Sequence, residues 1–151
     1  MMSWQNNIIS DLKEIRELLA NTKTIAVLGI KTEAQSNQPA FYVPKYLNSV
    51  GFEIIPVPVY FPDVTHILGH RVYRKLVEIP FNVDLVNVFR RAESIPAHLE
   101  DMLKKRPKVV WMQSGIKHNA VAETLAETGI KVVQDRCLMV EHQHFIQSSN
   151  S

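Results

Sequence analysis

Along residues 8–19 the apolar positions Ile8, Leu12, Ile15 and Leu19 recur at helical spacing, with Asp11, Lys13, Glu14, Arg16 and Glu17 opposite them. This stripe predicts an amphipathic helix covering an edge or face of the domain. The period then changes. "KTIAVLG" is a short β-branched run ending at Gly29, which reads as a buried strand. "TEAQSNQPAFYVPKYLNSVG" reads as a polar loop and then a helix closed by Gly51. An interior proline costs a helix about 3 kcal/mol, so Pro44 predicts a start near Tyr42 or Val43, with the proline in the first turn. "FEIIPVPVY" predicts a second strand, and the almost unbroken apolar run "VDLVNVF" a third, buried on both faces. "SIPAHLEDMLKKR" follows as a helix with Ser94 as N-cap and Pro96 in its first turn. "KVVWMQ" is a fourth strand, "HNAVAETLAETG" a helix, "IKVVQD" a fifth strand and "LMVEHQHF" a closing helix.

Strands alternating with helices of this length predict parallel βαβ units: a doubly wound, mainly parallel five-stranded sheet with helices on both faces. The 151 residues are enough for one domain, with a core over about 12–145 and a polar tail at 147–151. The net charge of +2 supplies no field for nucleic acid or a membrane surface, and no apolar run approaches the ~20 residues of a membrane span. The start, "MMSWQNNIISDLKE", lacks the basic-then-apolar pattern of a signal peptide. A single cysteine forms no internal disulfide and fits a reducing cytoplasm.

Ligands of open parallel sheets bind beyond the carboxyl ends of the strands, where strand order reverses. That rule nominates "GIKTEAQSNQP", "PVYFPD", "RRAESIP", "SGIKHN" and "DRCLMV". The first leads into a helix N-terminus, which favours phosphate, and Ser36, Asn37 and Gln38 add donors. It is not a standard dinucleotide loop. Gly29 is the only glycine before the helix, no acidic residue closes the second strand, and no Walker A pattern exists.

The ordered set "TIAVLG", "YLNSVGFEIIPV", "ILGHRVYRKLVEIP", "DLVNVFRRAESIP", "VVWMQSGI" and "VVQDRCLMVEH" resembles the small CoA-binding proteins of the YccU type. These are stand-alone relatives of the CoA-binding domain in the succinyl-CoA synthetase α subunit. The resemblance implies a Rossmann-like fold that binds coenzyme A or an acyl-CoA, for many members without established catalysis. It places Gly29, Ile30, Lys31 and Thr32, and then Ser36, Asn37, Gln38, Pro39, Ala40 and Phe41, toward the CoA pyrophosphate. Where the family commonly has Val-Asn-Pro near the adenine, this chain has Val57, Pro58 and Val59, and Ile30 replaces a usual small or polar residue. The "FRR" and "QSGI" segments match well, which nominates Phe89, Arg90, Arg91, Gln113, Ser114 and Gly115.

Arg90 and Arg91 end a buried strand, where a guanidinium can pair bidentately with phosphate; the competing role is an ion pair to Glu93. The 3′-phosphate of CoA asks for a further cation, from among Lys31, Lys45, Arg71 and Arg74. His118 reads as a helix-start residue, since the synthetase's phosphohistidine belongs to a second domain. His142 and His144 stand two apart and point to different faces of a helix, His66 and His70 flank Gly69 in a loop, and no metal site results. Cys137, beside Asp135, Arg136 and Glu141, reads as a small residue of the last turn before the closing helix. The alternative is a thiol at the CoA crevice that forms a mixed disulfide with the ligand under oxidation. The sequence thus predicts a CoA-binding protein without chemistry of its own. It leaves open a CoA-dependent enzyme or accessory subunit, an interaction module that has lost its ligand, and a homo-oligomer or enzyme partner.

Overall fold

In chain order the strands are β1 (Thr24–Leu28), β2 (Glu53–Val57), a short ribbon of β3 (His66–Ile67) and β4 (His70–Arg71), then β5 (Leu85–Val88), β6 (Val109–Met112) and β7 (Lys131–Val133). The α-helices are α1 (Leu12–Ala20), α2 (Pro39–Ser49), α3 (Leu99–Lys105), α4 (Asn119–Glu127) and α5 (Leu138–Ser149). This computed structural model describes residues 3–149.

The strands other than the ribbon form one parallel sheet in the order β2-β1-β5-β6-β7, the doubly wound Rossmann-like arrangement. β5 is buried along its whole length, as its apolar run requires. Alternate strand residues serve two cores. Ile25, Val27, Leu85 and Trp111 pack under α1, α2 and α5 with Ile15, Leu47 and Leu138. Ala26, Leu28, Val88 and Met112 pack under α3 and α4 with Met102, Val121 and Leu125. The chain runs from β1 outward to β2 and returns to β5 on the other side. The order therefore reverses between β1 and β5, and the crevice belongs at their carboxyl ends.

Four boundaries differ from the expectation. α1 starts at Leu12, because Asp11 caps it by accepting the Glu14 N–H at 3.2 Å. Ile8 lies outside that helix and bridges Val132 of β7 in parallel; Ile15, Leu18 and Leu19 make the buried stripe, while Leu12 is exposed. α2 starts at Pro39, so Pro44 lies in its interior. Ala92–His98 is a 3₁₀ segment, and α3 begins only at Leu99. α5 continues to Ser149 and takes up the start of the expected polar tail, whose last two residues lie outside the described range. No helix among the described residues is long and apolar enough to cross a membrane.

Candidate functional site

The loop after β1 is tied to both neighbouring strands. Gly29 N–H donates to Val57 O at 2.9 Å, and Phe89 N–H donates to Leu28 O at 2.9 Å. Gly29 has φ +89°, and a Cβ there would stand 2.4 Å from Phe89 O and 3.1 Å from Arg90 Cδ. Glycine is thus required twice, for the left-handed backbone and for the close passage of the Phe89–Arg90 segment. This brings the first loop and the end of β5 into contact at the point of strand reversal.

Arg90 is half-buried there, and its Nε is inaccessible to solvent with no acceptor among the described residues. Its Nη1 reaches the Tyr60 hydroxyl at 3.5 Å, and its Cζ lies 5.5 Å from the Tyr60 ring centroid. The hydrogen bond and charge of Arg90 hold the Tyr60 phenol below its ordinary range. Burial, and then the charge of Arg90, push nearby His98 below the usual histidine value, although Asp101 pulls the other way. Neighbouring Arg91 points out to solvent and pairs with Glu93 at 3.4 Å. The two arginines therefore separate: Arg91 takes the ion pair, and Arg90 keeps a buried donor free.

Beside Arg90 a crevice of about 510 Å³ opens at the ends of β1 and β2. Leu28, Pro58, Val59, Val77 and Ala97 supply apolar wall, and His98, Lys75 and the ion pair of Lys104 with Glu100 at 2.8 Å lie along it. Arg74 also lines it, but its guanidinium donates to the carbonyls of Tyr60 at 3.1 Å and of Phe61 and Val64 at 2.8 Å, clasping the loop after β2. Asp101 caps a short turn by accepting the N–H groups of Leu76 and Val77. A larger cleft of about 820 Å³ lies at the opposite, amino ends of the strands. Its Asp84 is already engaged by the N–H groups of Lys23 and Thr24 and by Lys108. That cleft faces away from the point of strand reversal, so strand geometry favours the smaller crevice.

The remaining candidates divide by location. Ile30 and Phe41 are 1% and 3% exposed and belong to the core under α1, α2 and α5, so neither side chain lines the crevice. Thr32 and Gln35 form a capping box, and the Lys31 ammonium is held by the Gln38 side-chain carbonyl. Ser36 and Asn37 are exposed in the turn before Pro39, which opens α2 beside Ala40. Val57 is buried under the loop, with Pro58 and Val59 at the crevice. Phe89 packs against the core. Gln113 is buried, its Oε1 accepting from Asn87 Nδ2 at 3.3 Å and from Leu138 N–H at 3.3 Å. Ser114 is exposed, and Gly115 N–H donates to Asp135 at 2.6 Å, which ties that turn to the loop after β7. Pro58 and Val59 line the crevice, and Gly29 and Arg90 meet at the ends of β1 and β5 next to it, while Gln113, Ser114 and Gly115 stand toward β7. Of the other cations, Arg71 lies over the Tyr73 ring at 5.3 Å.

Two residues of the site carry no sequence signal. Tyr60 is only one aromatic in a nominated loop, and His98 sits inside a helical pattern; tertiary proximity to Arg90 gives both their place. His118, His142 and Cys137, which invite catalytic readings, have structural work. His118 Nδ1 caps α4 by accepting the Val121 N–H at 3.1 Å. His142 is buried, with Nδ1 2.8 Å from the Tyr46 hydroxyl. Cys137 packs against the core, and its carbonyl accepts the Glu141 N–H at 3.0 Å. Arg136 joins Ser10 O at 3.1 Å to Glu141 at 3.5 Å, and its carbonyl accepts from the Trp111 indole. The "DRC" segment is a structural corner.

The curated relative YneT of Bacillus subtilis, an uncharacterized protein, is 36% identical over 129 residues, covering 85% of this chain and 92% of its own. The solved structure of cell-free ID.343 from Thermus thermophilus is 39% identical with a TM-score of 0.82, over 90% of this chain and 99% of that one. A hypothetical protein of Pyrococcus horikoshii OT3 is 28% identical with a TM-score of 0.80, over 91% and 93% of the two chains. Residues 23–143 match the family described as the CoA binding domain, from the start of the first strand into the closing helix, and the chain belongs to that family.

Proposed function

We propose that the chain binds coenzyme A or an acyl-CoA at the carboxyl ends of β1, β2 and β5 and performs no chemistry of its own. The observation that carries this reading is the solvent-shielded, unpartnered Nε of Arg90, held over Gly29 where the strand order reverses in a CoA-binding-domain chain. A buried donor without an acceptor costs about 1–3 kcal/mol, and a phosphate oxygen would satisfy it. The residues present fit the ligand's parts. Arg90 would hold the pyrophosphate, and Pro58 and Val59 would supply apolar surface for the base. Lys75 is the crevice cation with no ion pair among the described residues, since Lys104 pairs with Glu100 at 2.8 Å and Arg74 clasps the loop after β2. The apolar end of β2 has no carboxylate for the ribose hydroxyls of NAD, which favours CoA over a dinucleotide.

The reading of a binder without catalysis rests on the structural employment of His118, His142 and Cys137. His118 is a helix cap, His142 is bonded to Tyr46 in the interior, and Cys137 packs against the core. Thermal unfolding with CoA, acetyl-CoA, NAD and ATP tests the proposal. At a hundredfold excess over Kd, a ligand of the native state adds about 2.7 kcal/mol. Raised midpoints with CoA and acetyl-CoA, and none with NAD, are expected. An unmoved midpoint with both CoA species at millimolar concentration would sink it.

A further inference from the structure

Arg90 and Tyr60 stand out from the other charged and aromatic groups of the surface. A guanidinium carries five N–H donors. Arg90 spends one on the Tyr60 hydroxyl at 3.5 Å, the outer limit of a hydrogen bond, and its Nε has no acceptor. Among the described residues it makes no ion pair, although Arg91 beside it does. Tyr60 is 61% exposed, the most exposed of the large hydrophobic side chains among the described residues, and so contributes little to the core. Yet its backbone is fixed. Arg74 grips the carbonyls of Tyr60, Phe61 and Val64, and Phe61 adopts a left-handed φ of +63°. A loop held this firmly presents an exposed ring to Arg90 first, with the charges of Arg91 and Lys31 acting more weakly on the phenol.

We propose that Tyr60 is the positioning residue of an anion site formed by Arg90, holding the guanidinium so that its shielded Nε edge faces a diphosphate. The ring supplies cation–π attraction on one side of the fork, and the stem lies along Gly29, where no Cβ intervenes. Together they restrain a long side chain that otherwise loses rotamer freedom when it orders around an anion. A diphosphate presents several oxygens, so Nε–H and a neighbouring Nη–H can each find an acceptor in the plane of the fork. The proposal gives the CoA reading its pyrophosphate contact and rests on it for the rest of the ligand.

Isothermal titration of CoA and of inorganic pyrophosphate into wild type, Tyr60→Phe, Tyr60→Ala, Arg90→Gln and the Tyr60→Ala/Arg90→Gln double variant tests it. Tyr60→Ala is expected to weaken CoA roughly tenfold and Tyr60→Phe only about twofold, since the ring contact survives. The double variant should bind no more weakly than Arg90→Gln. Equal and additive losses from the two residues, or no loss in Tyr60→Ala, would overturn the proposal.

A second readout needs no CoA. With ¹³C-labelled tyrosine, pyrophosphate bound at Arg90 offsets the positive charge beside the phenol and raises its titration midpoint. That shift is expected in wild type and absent in Arg90→Gln. A phenol indifferent to pyrophosphate in wild type refutes the anion site. A phenol that responds in a chain that does not bind CoA upholds the anion site and refutes the CoA reading.

Discussion

The N–H of Lys31 donates to the carbonyl of Ala40 at 3.0 Å, joining the first loop to the first turn of α2. In an unbroken helix that carbonyl would accept from the residue four positions on, which here is Pro44 and has no N–H. The proline therefore leaves an acceptor for the loop. Pro44→Ala restores a competing intrahelical donor. Amide exchange at Lys31 should then quicken by about an order of magnitude while α2 remains helical. Unchanged protection at Lys31 would show that the loop is anchored by other contacts.

Gly29 and Gly115 both have positive φ, but only Gly29 is crowded, by Phe89 O at 2.4 Å; nothing lies within 4 Å of a Cβ at Gly115. Gly115→Ala should cost about 1–2 kcal/mol, the left-handed penalty alone. Gly29→Ala adds a backbone clash and should cost about 3 kcal/mol or more. Urea unfolding of both variants measures the difference, and equal losses would mean that the Phe89–Arg90 segment gives way freely.

His142 is buried among Tyr46, Phe52 and Phe145, and burial lowers its proton affinity. The folded state thus prefers the neutral ring, while the unfolded chain protonates near pH 6.5. Stability is fully present above that pH and declines as the pH falls from about 6.5 toward the folded value. His98, also lowered, contributes in the same direction. Melting between pH 7.5 and 5 should show the decline, and His142→Phe should reduce but not abolish it. Tyr46→Phe removes the 2.8 Å bond and should lower stability by about 1 kcal/mol at neutral pH.

Asp84 fastens the start of β1 to the start of β5. Burial alone would raise its carboxyl, but the N–H groups of Lys23 and Thr24, and then Lys108, hold it below its ordinary value. Its own N–H donates to Thr24 Oγ1 at 2.8 Å. The stability it contributes is present above about pH 3.9 and is lost as the pH falls through the folded value below that. Asp84→Ala should cost about 2 kcal/mol at pH 7 in chemical denaturation, and Asp84→Asn less, since an amide oxygen still accepts. A loss that stays the same at pH 3 would discount the charge.

Strand identity was legible wherever apolar runs were continuous: β1, β2, β5, β6 and β7 fall within "TIAVL", "EIIPV", "LVNV", "VVWM" and "KVV". Helix boundaries were less so, because an interior proline reads as a stop unless a distant donor can use the carbonyl it frees, and that donor, Lys31, is known only from the tertiary structure. The ribbon β3–β4 escaped for a related reason. Its turn uses positive φ at Leu68 as well as Gly69, and leucine gives no turn signal. At the candidate site, position after a buried strand nominated Gly29 and Arg90, and the structure brings the two into contact. The inward turn of Ile30, Phe41 and Gln113, and the approach of Tyr60 to Arg90, follow from packing between segments far apart in sequence.

The two rims of the sheet are closed to further strands. On β7, only three residues long, Ile9 N–H takes the Val132 carbonyl at 2.8 Å while Ile8 lies alongside. On β2, Pro56 has no donor to offer, and its carbonyl accepts the Tyr73 N–H at 2.9 Å. A second copy of the chain, native or partly unfolded, meets no continuous ladder to extend at either rim. The segment before α1 thus acts as a guard against templated strand addition, and a chain cut back through Ile9 would bare the β7 rim to polymer growth.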